Sequence, residues 1–184
     1  MIAAPVAAQT AAPDSLPPVQ AVSDAGLSFS ADRLLVPVEG VLPTDLDDTF
    51  TARRSGGRTH RAIDIMAPRG TPVLAVSDGE ITRIHRNRLG GNVLYLRSHG
   101  GAYDFYYAHL DTYADGLEVG QTVRQGDVLG TVGNTGNARR TPPHLHFQVL
   151  RQGRRGRGTP VNPFRLFSGS KLYQDAPAAR GVRG

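Results

Sequence analysis

The sequence predicts a mostly β fold, a single domain of antiparallel sheets, on three observations. The apolar runs between residues 34 and 168 are short and β-rich. Glycine, 22 residues in all, punctuates those runs at turn-like spacing. No stretch sustains a 3.6-residue apolar repeat over three helical turns, and no internal repeat is evident.

Taken in order, "GTPVLAVSDGEITRIHRN" alternates around Asp78-Gly79, the pattern of a hairpin. "NVLYLRSHGGAYDFYYAHL" predicts a strand over 92–97, a turn at Gly100-Gly101 and a strand over 103–109. "LEVGQTVRQGDVLGTVGNTG" predicts further short strands broken at glycines, and "PHLHFQVLRQG" a last long strand. Outside this core, residues 1–33 form an Ala/Pro-rich linker and residues 169–184 a loose tail. The opening "MIAAPVAAQTAAPDSLPPVQA" lacks a basic n-region and an unbroken apolar h-region, so no signal peptide is evident in it.

Composition narrows the chemistry. The 184 residues suit one domain with extensions, and a hydrophobic content of 39% is that of a globular chain. No apolar run is long enough to span a bilayer. There is no cysteine, which excludes disulfides, thiolate-bound zinc, iron–sulfur clusters and a thiol nucleophile. The net charge of +5 rests almost wholly on arginine, Lys171 being the one lysine. That balance favours an anionic partner: nucleic acid, a membrane surface or an acidic wall polymer.

Six histidines are candidates for chemistry: His60, His85, His99, His109, His144 and His146. Side chains alternate along a strand, so His144 and His146 share a face while Leu145, Phe147 and Val149 share the other. Two imidazoles on one face can bind a metal together, or one can bind while the other moves protons. They can equally sit on a solvated sheet face. "RTHRAIDIMAP" adds His60 and Asp64, a nitrogen and a carboxylate oxygen. Three ligands drawn from His and Asp, plus water, describe a catalytic zinc site with an open position. "YYAHL" adds His109, either an interfacial histidine beside two tyrosines or a non-ligand group facing the site. His85 and His99, in "RIHRNR" and "RSHGG", read as surface residues.

"HRAID", "YYAHL" and "PHLHF", in that order and spacing, resemble the lysostaphin/LytM-type zinc metallopeptidases. The frame agrees: "APRGTPVLAVSDGEI", "GNVLYLRSHGG", "VRQGDVLGTVGNTG" and "VNPFRLF", from about Leu35 to Phe167. The resemblance implies a half-barrel of duplicated strand motifs with long loops around a zinc groove. It implies His60, Asp64 and His146 as ligands of one Zn²⁺ per domain, with His109 and His144 as catalytic non-ligand histidines. The implied reaction is endopeptidase cleavage of peptidoglycan stems or cross-links by metal-activated water. Ala62, Pro142-Pro143 and Gln148 depart from the family's usual glycine, Gly-Pro and glutamate. None of them removes a ligand or a catalytic imidazole.

By the same resemblance Tyr106 and Asn92 line the groove. Arg53, Arg54, Arg139 and Arg140 either meet an anionic wall polymer or form a solvated basic rim. The expected setting is the periplasm or the exterior, as a monomer with no nucleic-acid partner and no transmembrane segment. The D-alanyl-diaminopimelate bond is favoured over glycyl-glycine, because no wall-targeting module follows the domain. Three rivals were weighed. A catalytically inactive module of the same fold, activating another hydrolase, would have lost ligands that this chain keeps. A lipoyl-type carrier, suggested by "VRQGDVLGTVG", needs a lysine in that turn, and Lys171 lies well beyond it. Nucleic-acid binding rests on charge alone.

Overall fold

The computed structural model describes residues 34–153 and 158–168. The linker expected over 1–33 and the tail over 169–184 lie outside the described residues. Nine strands and one short helix make up the regular elements among the described residues. They are β1 (Ile63–Met66), β2 (Pro72–Leu74), β3 (Gly79–Asn87), β4 (Gly91–Ser98), β5 (Tyr103–Leu110), β6 (Thr122–Val123), β7 (Val128–Thr131), β8 (His144–Arg151), β9 (Thr159–Val161) and α1 (Pro163–Ser168). The fold is mostly antiparallel β, as the sequence predicts, and no closed barrel forms. No helix among the described residues is long and apolar enough to cross a membrane.

The main sheet runs β1-β8-β5-β4-β3-β6. One edge of β8 carries β1 along its first half and β9 along its second, and its other edge carries β5. β2 and β7 form a separate two-stranded sheet. The β4–β5 connection turns at Gly100 and Gly101, both at positive φ, where the expected turn lies.

The expected hairpin about Asp78-Gly79 does not form. β2 pairs with β7, and β3 pairs with β4 and β6. Gly79 is not a turn residue at all. It sits between Ser98 and Val123 in the ladders, where a Cβ would strike the backbone of Arg97. The glycine answers a close approach of two backbones, and a strand interior uses glycine for that reason as well.

The apolar face of β8 behaves as its alternation predicts: Leu145, Phe147 and Val149 are fully buried. The Phe147 ring packs against Phe105, Tyr107 and Phe167 at centroid distances of 6.2, 5.1 and 5.8 Å. Ile63 and Ile65 of β1 join the same core from the neighbouring strand. Burying one such aromatic side chain removes enough apolar surface from water to fix the strand's register, because a one-residue slip would expose all three β8 anchors. The opposite face of the same strands is thereby committed to polar side chains, and it carries the site.

Candidate metal centre and cleft

Register across β1 and β8 builds the centre. Asp64 faces His146 directly, and Met66 faces His144. On the other side of β8, Ala108 of β5 faces His146. His60 lies just before β1, where Arg61 takes a left-handed φ of 57° and folds the chain back over the strand. The backbone N–H groups of His60 and Arg61 donate to Ala52 and Phe50, at 2.9 and 2.8 Å, which pins that fold.

Three donor atoms converge. Asp64 Oδ1 is 3.0 Å from His60 Nε2 and 3.0 Å from His146 Nδ1, and the two nitrogens are 3.0 Å apart. His60 Nδ1 donates to the Thr49 carbonyl at 3.0 Å, leaving Nε2 with its lone pair aimed at the cluster. Electron-pair donors gathered this closely call for a cation. The guanidinium of Arg54 partly answers it, with one nitrogen 2.7 Å from His60 Nε2 and in an ion pair with Asp64. A tetrahedral zinc ion with bonds of ~2.0 Å sets its ligand atoms about 3.3 Å apart, close to the triangle here. The donor set fits zinc in type, number and spacing.

Electrostatics agree. Burial would raise the Asp64 carboxyl. Hydrogen bonds with His146 and His60, the His60 charge and Arg54 outweigh it and hold the group far below the usual carboxylate range. Burial lowers His146, against the pull of Asp64. Both shifts run towards the electron-pair-donor forms, a carboxylate and a neutral imidazole.

His109 and His144 stand beside the triangle. The His109 ring centroid lies 5.1 Å from His144 and 5.7 Å from His146. His109, one residue before the end of β5, has φ 65°, uncommon for a residue other than glycine, and its Nδ1 donates to the Thr135 carbonyl at 2.9 Å. His144 Nδ1 donates to the Pro142 carbonyl at 2.8 Å, and its Nε2 is 3.9 Å from Asp64 Oδ1. Each ring therefore turns its Nε2 away from its backbone anchor. Burial first, then the neighbouring His146 and His144, push His109 down to about 4, so it is neutral near pH 7.

A cavity of about 700 Å³ opens over these residues, walled by Arg53, Arg54 and Arg58 on one side and by Leu89, Tyr106 and Asn137 among others. The Tyr106 ring meets His146 edge-on, and burial pushes its phenol up to about 12. Asn92 does not line the cleft. Its amide donates to Leu110 and Asp111 carbonyls, bracing the end of β5. Arg139 lines an adjoining cavity and Arg140 neither. His85 is half-buried rather than a surface residue, stacked 6.1 Å from Tyr95. His99 is half-buried too. The backbone anchors Thr49, Thr135 and Pro142 escaped the sequence reading, since a main-chain carbonyl leaves no residue-type signal.

Known proteins share this arrangement of strands. The peptidoglycan DD-endopeptidase ShyC of Vibrio cholerae is 40% identical over 96 residues, which are 52% of this chain and 21% of that protein. The chain thus matches about a fifth of that relative's length. The catalytic domain of the antimicrobial peptidase lysostaphin from Staphylococcus simulans superposes with a TM-score of 0.51 at 34% identity, over 60% of this chain and 80% of that one. A zinc-containing peptidase from Vibrio cholerae gives a TM-score of 0.54 at 28% identity, over 70% of this chain and 39% of that one. The model of one family matches residues 58–163, more than half of the sequence and a span that takes in all four clustered histidines and Asp64. The chain belongs to peptidase family M23.

Proposed function

We propose that the unit formed by residues 34–168 is a zinc-dependent endopeptidase that cuts peptide stems or cross-links of bacterial peptidoglycan, in the cell envelope. The triangle of His60 Nε2, Asp64 Oδ1 and His146 Nδ1, with two further histidines facing it, carries this reading. Family membership and the peptidoglycan endopeptidase among its relatives support it.

When bound, zinc supplies Lewis-acid polarisation of a carbonyl and a water acidic enough to ionise near neutral pH. His60, Asp64 and His146 would hold it, the register of β1 on β8 fixing Asp64 against His146 and the fold before β1 bringing His60 to them. His109 and His144 each present an Nε2 acceptor, so either could take the proton of the attacking water and, as the imidazolium, return that same proton to the leaving amine, while the other, when it carries an Nε2 proton of its own, would stabilise the oxyanion. The Thr135 and Pro142 carbonyls fix these rings before substrate arrives, which lowers the ordering needed in the transition state. Tyr106 closes one wall of the cleft and, with its phenol protonated, offers an O–H to a substrate carbonyl.

The test is digestion of purified sacculi of two wall types, with mass spectrometry of released fragments and a chelator control. Chelator-sensitive cleavage of a stem or cross-link peptide is expected. A zinc-loaded protein that releases nothing from either wall would overturn the reading.

A further inference from the structure

Beyond the metal cleft lies a second cavity of about 410 Å³, lined by Arg86, Asn87, Arg88, Gly136 and Arg139. The two cavities have no lining residue in common, but neighbouring residues of the same two segments line both. The end of β3 and its turn to β4 present Leu89 and Gly90 to the cleft, and Arg86 and Arg88 to the second cavity. The loop before β8 divides likewise, with Asn137 and Ala138 on one side and Gly136 and Arg139 on the other.

The platform under these arginines is rigid. Asn87 Oδ1 accepts from the N–H groups of Leu89 and Gly90, at 3.0 and 2.7 Å. Asn137 N–H donates to the Leu89 carbonyl at 3.0 Å, and Asn92 N–H to Thr135 Oγ1 at 2.9 Å. Gly91 and Gly136 lie backbone against backbone, both at positive φ, with no room for a Cβ on either. The backbones that carry three exposed arginines are therefore held around one concavity. Among the residues lining either cavity the one carboxylate is Asp64, and the metal set engages it. Like charges gathered without a counter-charge repel one another, and a carboxylate bound between them relieves that repulsion with forked hydrogen bonds.

We propose that Arg86, Arg88 and Arg139 form a carboxylate-binding subsite at the end of the metal cleft, so that the preferred substrate is an acidic stem peptide with a free carboxylate and not an uncharged glycine bridge. This rests on the endopeptidase reading above and specifies its substrate. The arginines carry no chemistry at the reacting bond; they position the peptide.

The experiment compares the wild type with Arg86→Gln/Arg88→Gln/Arg139→Gln, both zinc-loaded. The probes are the stem tetrapeptide L-alanyl-γ-D-glutamyl-meso-diaminopimelyl-D-alanine, the same peptide with all of its carboxylates amidated, and pentaglycine amide. Calorimetry gives Kd, and a cross-linked stem dimer gives kcat and KM. The triple variant should weaken binding of the free-acid peptide about tenfold and leave the amidated peptide unchanged, as loss of charge-assisted bonds requires. KM for the dimer should rise while kcat holds. Equal zinc content and equal thermal melting show that the variant is folded; if it melts early, the three single variants replace it. Unchanged binding of the free acid, or equal loss for free and amidated peptides, overturns the subsite. Binding is read without turnover. A wild type that binds the free acid selectively yet cuts nothing would refute the endopeptidase reading and leave the subsite standing.

Discussion

Asp64 and His146 sit directly opposite each other on β1 and β8, and this pairing sets the carboxylate oxygen 3.0 Å from the imidazole nitrogen. Sheet register and metal geometry are thus one constraint. Asp64→Ala or His146→Ala should remove zinc and activity together, read by elemental analysis beside a turnover assay. Retained stoichiometric zinc in either variant would refute the ligand assignment.

His109 offers the contrasting case. It touches the cluster only through ring contacts and is anchored by Thr135. His109→Ala should keep its zinc and lose about 10²–10⁴ in kcat, the usual span for removing a general acid or base. Full activity in that variant would sink the proposed proton path.

Acid should unfold the metal-free protein early. The native-state values of His109 and His146 are depressed, mainly by burial, so the unfolded chain binds more protons than the native one as pH falls below about 6.5. For His109 this loss continues to about pH 4, where the native group also protonates. Asp64 is depressed as well, and its contribution, present above the ordinary carboxylate range, fades as pH drops below it. All three act in one direction. The melting temperature of the chelated protein should be flat above pH 7 and fall steadily from there to pH 4. A melting temperature that rises on acidification would contradict the environment described for these groups.

Gly91→Ala should be costly for a backbone reason. Gly91 has φ 68°, and an added Cβ would collide with Thr135 and Gly136. Strain and overpacking together predict a loss of more than about 2 kcal/mol in urea unfolding. The displaced Thr135 would also release His109, so kcat should fall even where the protein stays folded.

Phe147→Ala tests the buried side of the same strand that carries the histidines. The ring is fully buried among three other aromatic side chains, and its loss should cost about 3–5 kcal/mol. Zinc at 100 times its Kd should restore about 2.7 kcal/mol, because it binds only the native arrangement. No zinc-dependent recovery would mean that the site survives without β8 in register.

The sequence disclosed most where side-chain type and spacing coincide with structure. The alternation over 144–151 located β8, separated its buried from its polar face and grouped His144 with His146. The glycine pair at 100–101 marked a real turn for the same reason, since positive φ favours glycine. The Asp78-Gly79 signal misled because glycine serves two physical needs, and spacing alone does not tell a turn from a close approach. β2 found its partner in β7, far along the chain, through a pairing that no local pattern records. The orientation of His60, His109 and His144 was equally illegible, being set by the carbonyls of Thr49, Thr135 and Pro142. Arg86 and Arg88 carry no local signal of a site, because Arg139, with which they line one cavity, lies some fifty residues further along the chain.

The placement of β1 has a consequence for timing. Its ladder partner is β8, so Asp64 waits for a strand that is translated some eighty residues later. A nascent chain that has emerged through β5 already holds His60, Asp64 and His109, yet no strand faces β1 and no metal triangle exists. The proposed activity therefore depends on the docking of β8 against β1, and a piece of the chain that stops at β5 cannot assemble the three candidate ligands.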